Sequence, residues 1–306
     1  MQLPDFPAVP PDQRTTRGVF VQYEDVAQDG SLKVGGMPAA IGLVCMGKLW
    51  FKTPLARMTG PNGIVAILTR IAMQTTGGPV SVRKQIEVDG LYQLAHTRDG
   101  AREVSRIFVN GHAELYAPIG RTHAPQPPNA GDRVHVGRVF AEHVFTRPFA
   151  PAGTRKVFAL PSVEGPYVPE LQLPQRDPAS ILRAPEGAIF LEPVLQADPT
   201  PVTFGLSHTD SNQHVNSLVY PQLFEDAALR RLMDLGHDTS ALLVELIDVS
   251  FRKPCFAGDR VFVTLRTFEQ RGQLGAVAFL GPKGVEAHRS NAMCALRFRR
   301  GPLGQG

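Results

Sequence analysis

Asp210, Asn212, His214 and Asn216 fall within seven residues of the run Ser207-His208-Thr209-Asp210-Ser211-Asn212-Gln213-His214-Val215-Asn216-Ser217. The first three alternate along the chain, so in an extended or turn-like segment their side chains converge on one side. Carboxylates and imidazoles are the groups most often used to move protons or orient a water near neutral pH. An amide can fix either of them, or a carbonyl oxygen. That set suits hydrolysis. It also suits a plain turn, because Asp and Asn are turn formers, Asn216 or Ser217 can cap a helix, and His214 can be structural. His208, Asp210 and His214 raise metal binding as a second chemistry. Zinc needs three or four converging ligands, and no Cys-x-x-Cys or His-Glu-x-x-His motif accompanies them, so no metal and no cofactor is expected.

The elements around this run must hold it. Val202 to Leu206 reads as a strand leading in, and Leu218 to Leu235 as a helix ended by Gly236. Strands follow at 242–252, 260–268, 275–280 and 288–299. The first half repeats this plan with little repeat of sequence. Val19 to Tyr23 reads as a strand, Gly30 to Phe51 as a turn and buried helix, and 63–75, 80–96 and 102–115 as β-rich runs. Asp89-Gly90, Asp99-Gly100 and Asn110-Gly111 have the composition of tight turns. Between the halves, positions 118–201 hold 15 of the 27 prolines, so this interval reads mainly as connection, with strands at 133–145 and 188–195. One helix per strand meander implies a curved antiparallel sheet wrapped around each helix, an α+β fold in two halves, 1–165 and 166–306.

On the second-half helix, Asp226, Arg230 and Asp234 form one solvent stripe. Glu225 falls on the other side, among Ala228, Leu229 and Leu232. A carboxylate on an apolar face is paired or has a raised pKa, which makes it a catalytic candidate or a buttress for Asn216 or His214. In the first half, the matching turn Asp29-Gly30-Ser31-Leu32-Lys33-Val34-Gly35-Gly36 has neither Asn nor His, so that half is expected to be non-catalytic.

The run Asp210-Ser211-Asn212-Gln213-His214-Val215-Asn216, followed by Tyr220 and Phe224-Glu225, resembles the Asp-x-Asn-x-His-Val-Asn signature of fatty acyl-ACP thioesterases of plants and bacteria. Phe251-Arg252-Lys253-Pro254-Cys255 is similar to that family's Tyr-Arg-Arg-Glu-Cys segment. The resemblance implies a double hotdog fold over the whole chain, thioester hydrolysis, and Asp210, Asn212 and His214 as catalytic residues. It marks Asn216, Tyr220 and Cys255 as substrate-binding positions, and the first-half helix, with Met37, Ile41, Leu43, Val44, Met46 and Leu49, as acyl-pocket lining or core. The family's catalytic Glu falls on Pro254, which can do no acid-base work. Asp248, six residues earlier with the same strand parity, is either a carboxylate that reaches the site in its place or a structural acid hydrogen-bonded at a strand edge. Alternatives are another acyl-thioester reaction, such as hydration, dehydration or acyl transfer, and a non-catalytic binding module.

Composition bounds the rest. With 306 residues, 43% hydrophobic and 20% charged, the chain builds a substantial core. A net charge of +4 and a pI near 9.1 favour an acidic or phosphorylated partner, while the scattered basic residues, apart from Arg297, Arg299 and Arg300, offer no nucleic-acid stripe. Three cysteines and a start without a basic, apolar leader point to a reducing cytoplasm; no apolar run reads as a membrane span. The partners expected are an acyl carrier protein or CoA thioester and, in a further association, a second copy as a homodimer.

Overall fold

A computed structural model describes residues 2–100, 103–123 and 125–301. The long strands of the first half are β1 (Arg14–Val19), β2 (Val65–Thr75), β3 (Ile86–Arg98), β4 (Val104–Pro118) and β5 (Arg133–Thr146). Those of the second half are β6 (Val202–Thr203), β7 (Leu242–Phe251), β8 (Arg260–Gln270), β9 (Gln273–Gly281) and β10 (Ala292–Arg300). Together they form one antiparallel sheet in the order β1-β3-β4-β5-β2-β7-β10-β9-β8-β6, with Ile189–Phe190 and Gln196–Ala197 added along β8. The halves meet where β2 pairs β7, from Leu246 opposite Gln74 to Ser250 opposite Arg70. The molecule is an α+β double hotdog.

The first-half core helix is irregular. A short turn at Val34–Gly36 leads into a π-wound segment, Ala40–Leu49, a tight turn at Trp50–Lys52 and a short helix α1, Pro54–Thr59. Val34–Lys52 spans 19 residues and is long and apolar enough by composition to cross a bilayer, though it contains Lys48 and Lys52 and half of it is buried inside the protein. Here the strands wrap it, with Met37, Ile41, Val44, Cys45 and Trp50 buried. The expected turns at Asp89-Gly90 and Asn110-Gly111 are also corrected, since both pairs lie inside β3 and β4. Their glycines are there for close approach. A Cβ on Gly90 would meet Val44 Cγ1 at 2.8 Å, and one on Gly111 would meet Ile41 at 3.3 Å. At Gly137 on β5 it would meet Met37 Cε at 2.6 Å. Small residues on neighbouring strands thus seat the helix against the sheet. Asp99-Gly100 does lie between β3 and β4.

The second-half helix α2, Val219–Asp234, buries Tyr220, Phe224, Ala227, Ala228 and Leu232. It ends at Gly236, whose φ of 84° only glycine adopts freely. The apolar residues of β7 split by parity. Ile247, Val249 and Phe251 face the helices on the concave side, and Leu246 faces Leu3, Ala72 and Phe140 on the convex side. The proline-rich interval runs over the surface. Its turn at Pro178–Leu182 seats Ile181 on Phe268, Val277 and Met293, which closes the convex face of the second half.

Candidate active site

The Asp/Asn/His run is a tight hairpin. Thr209 and Val215 form an isolated bridge, Asp210 N–H donates to His214 O at 3.0 Å, and Gln213 N–H donates to Asp210 O at 2.9 Å. Gln213 closes the turn at φ 64°, in the left-handed region that disfavours side chains. Asp210 Oδ1 accepts the Asn212 N–H at 2.8 Å, which leaves its other oxygen free of protein partners among the described residues. Asp210 is half-buried, while Asn212 and His214 are exposed at the tip. The hairpin therefore carries the carboxylate, the amide and the imidazole within five residues, directly before α2.

The first half contains the same hairpin without the chemistry. Val26 and Leu32 form the matching bridge, Ala27 N–H donates to Ser31 O at 2.8 Å, and Gly30 N–H donates to Ala27 O at 2.9 Å. Gly30 takes the left-handed position, at φ 86°, that Gln213 occupies in the second copy. Superposed by these bonds, Asp210, Asn212 and His214 fall on Ala27, Asp29 and Ser31. Asp29 is engaged elsewhere, in an ion pair with Arg299 at 2.7 Å that holds its carboxyl below the usual range despite burial.

A second loop, 252–259, packs on the hairpin. Val215 N–H donates to Cys255 O at 2.8 Å, Cys255 N–H donates to the Tyr220 hydroxyl at 3.2 Å, and the Phe256 ring meets the His214 ring edge-on at 5.5 Å. Asn291 pins this loop through Nδ2 to Pro254 O at 3.1 Å and through its carbonyl to Arg252 and Lys253 N–H. The carboxylate the loop carries is Asp259, whose Oδ2 accepts the Phe256 N–H at 2.9 Å. In the sequence Asp259 shows only as part of a Gly-Asp turn; no local pattern marks its tie to Phe256. Pro254 places no acid here.

Several expected site residues have other work. Asp248 faces the convex side, where its two oxygens accept from Arg70 Nε and Nη2 at 2.8 and 2.7 Å, with Arg176 at 3.7 Å. The parity argument fails because β7 ends at Phe251, and the loop beyond it does not keep the strand's alternation. Glu225 lies on α2, where burial and Asp226 push its carboxyl pKa up, and the opposing charge it feels is Lys33 of the first-half hairpin. Asn216 forms a turn just ahead of the helix, its Oδ1 accepting the Leu218 N–H at 2.9 Å and its carbonyl the Val219 N–H at 3.0 Å; the helix N-cap itself is Leu218, with no side-chain cap, so the expected cap at Asn216 or Ser217 is corrected. Tyr220 and Cys255 are buried behind the hairpin, and burial raises the pKa of both groups, so they support the loops and are not surfaces for substrate. His208 turns its Nδ1 to the Gly205 N–H at 2.9 Å. Among the described residues no group of three His, Cys, Asp or Glu is arranged to hold a metal.

No family model and no curated protein sequence matches the chain. Solved structures do. A protein provisionally named an oleoyl thioesterase, from Lactobacillus plantarum, aligns with TM-score 0.58 and 14% identity, covering 95% of this chain and 96% of that one. An acyl-ACP thioesterase from Bacteroides thetaiotaomicron gives 0.56 and 13%, covering 94% and 98%. A 12:0-ACP thioesterase from Umbellularia californica gives 0.53 and 12%, covering 94% of each. At these identities the likeness establishes the fold, over nearly the full length of each chain.

Proposed function

We propose that the chain hydrolyses an acyl thioester carried on acyl carrier protein or CoA. The observation that carries this reading is the duplicated hairpin: the backbone is the same in both halves, and only the second copy bears Asp210, Asn212 and His214. Asp210, with one oxygen held by Asn212 N–H, acts as general base for water or attacks the thioester carbonyl itself. Asn212 and His214 lie at the exposed tip, where a carbonyl oxygen or departing sulfur would arrive, and would stabilise charge that develops there. The likeness to three thioesterase structures supports the same reading.

With proline at 254, Asp259 is the acid this loop offers, and it acts through Phe256 on His214 as a positioning residue. Asp259→Asn keeps the turn acceptor but removes the charge; a fall in kcat at unchanged KM supports this role, and unchanged kcat contradicts it. The exposed Arg252 and Lys253 beside Cys255, and Arg260 and Lys283 around a shallow depression of about 320 Å³, give this end of the molecule a basic rim. That rim suits the acidic surface of a carrier protein or the phosphates of CoA. The missing acid at 254 favours one second reading, a module that binds acyl thioesters without cleaving them. Thiol release from acyl-ACP and acyl-CoA separates the two: release supports hydrolysis, and tight binding with no release supports the module.

A further inference from the structure

The residues that lead out of the first-half core helix and those that follow β5 share one composition. Positions 48–58 and 147–158 hold six lysines and arginines and no acidic residue, more positive charge than the +4 of the whole chain. The same two segments carry Phe149, which is 97% exposed, Phe51 at 60% and Phe158 at 53%. A single exposed phenylalanine is ordinary on a protein surface. Three of them among unopposed cations mark an interaction face.

Backbone pairing brings the two segments to one end of the sheet. Val65, the first residue of β2, pairs with Thr146, the last of β5. Thr146 in turn bridges Lys156, and Arg147 N–H donates to Arg155 O at 2.9 Å, so a hairpin continues β5 past the sheet with Phe149 in its loop. Arg155 Nε donates to Ala150 O at 2.9 Å, which sets a guanidinium beside Phe149. Val157 is buried, and Lys156 and Phe158 on either side of it are exposed. The strand Leu160–Ser162 then packs on α1. Phe51 and Lys52 stand just before α1, after Trp50, whose ring lies 5.5 Å from that of Phe145 near the end of β5. The Asp/Asn/His hairpin sits at this same end. β7 runs antiparallel to β2, with Ser250 opposite Arg70, so it leaves the sheet where β2 enters it. The loop that follows, packed on the hairpin, adds exposed Arg252, Lys253 and Phe256.

We propose that this end of the molecule docks on an anionic lipid surface. Phe51, Phe149 and Phe158 enter the interface between headgroups and acyl chains, while Lys52, Arg155 and Lys156 meet the lipid phosphates. An acidic protein would satisfy the cations alone; anionic lipid satisfies the cations and the bare aromatic rings together. The proposal holds for a hydrolase and for a binding module alike. Its test is sedimentation of the full chain with sucrose-loaded vesicles, either pure phosphatidylcholine or phosphatidylcholine mixed equally with phosphatidylglycerol. Binding to the mixed vesicles is expected to be roughly tenfold or more the stronger, and to be lost in high salt. Lys52→Gln with Lys156→Gln should weaken it roughly twentyfold, about fivefold for each charge. Phe149→Ser should weaken it roughly tenfold, by the loss of one inserted ring. Melting temperatures should not change, since all three side chains are exposed. No sedimentation with mixed vesicles, equal sedimentation with both kinds, or binding that these variants leave intact overturns the proposal. Capture of an apo-acyl carrier protein that the same variants abolish, with no vesicle binding, would also overturn it and make the face a protein-docking surface.

Discussion

At the scale of single residues, the Asp/Asn/His hairpin concentrates its cost at one position. Gln213 holds φ 64° where the silent copy has Gly30, and a side chain in that region costs about 1 kcal/mol or more. Gln213→Gly should therefore raise stability by about 1 kcal/mol in chemical denaturation. Gln213→Val should lower it, because β-branching worsens the clash. His112 makes a second residue-scale prediction. It is buried between Phe6 and Phe140, and burial together with Arg138 depresses its pKa to about 4 from an ordinary 6.5. The unfolded chain takes up this proton below pH 6.5, while the folded chain resists until about pH 4. The stability from keeping His112 neutral is thus present above 6.5 and drains away as pH falls toward 4, on the order of 3 kcal/mol in all. Unfolding curves of His112→Phe should be flatter than wild type across that window; parallel curves would contradict it. The hairpin that carries Asp210, Asn212 and His214 was legible in the sequence as a turn ahead of a helix, because Asp and Asn are turn formers. Asn216 read as either cap or ligand, and the hydrogen bond it accepts from Leu218 N–H makes it a turn residue ahead of a helix whose N-cap is Leu218.

At the scale of elements, the first-half helix and the strands beneath it are fitted by glycine. Gly137→Ala would place a Cβ 2.6 Å from Met37 Cε and 2.9 Å from Gln74 O, a backbone atom that cannot swing aside. It should cost about 1–3 kcal/mol by thermal or chemical unfolding, as overpacking does. A variant as stable as wild type would show that the helix seat is looser than described. These glycines also explain why Asp89-Gly90 and Asn110-Gly111 misread as turns. Local composition cannot distinguish a glycine that needs positive φ from one that makes room for a neighbour far away in sequence. The second-half helix was legible almost to the residue, since an apolar face and a terminal glycine agree. The first-half helix has a π-wound core with no such caps, and its apolar residues all round mark burial and not phase.

At the scale of the whole molecule, two copies of one plan share a continuous sheet, and the join is where the charge reading went astray. Asp248 sits at that join in a bidentate pair with Arg70, both side chains 13% exposed, with Arg176 of the connecting segment alongside. Asp248→Ala should leave Arg70 partly buried and unpaired, and lower stability by about 3 kcal/mol. The folded fraction should keep wild-type kcat; a loss of kcat at unchanged stability would return Asp248 to the catalytic set. Strand parity alone could not show that the chain leaves the sheet after Phe251, so the sequence did not reveal that Asp248 turns to the convex side or that Asp259 ties to Phe256. The double architecture itself was visible, because strand, helix and meander recur in order even where the residues do not. The claim that most depends on this duplication is that one hairpin works and the other does not. Its direct test is thiol release from acyl-ACP and acyl-CoA by wild type, Asp210→Asn and His214→Ala, with melting temperatures recorded for each. The account predicts release by wild type and a fall of about 10²–10⁴ in kcat for both variants at unchanged melting temperature. Equal rates in all three, or no release from any thioester, would contradict it.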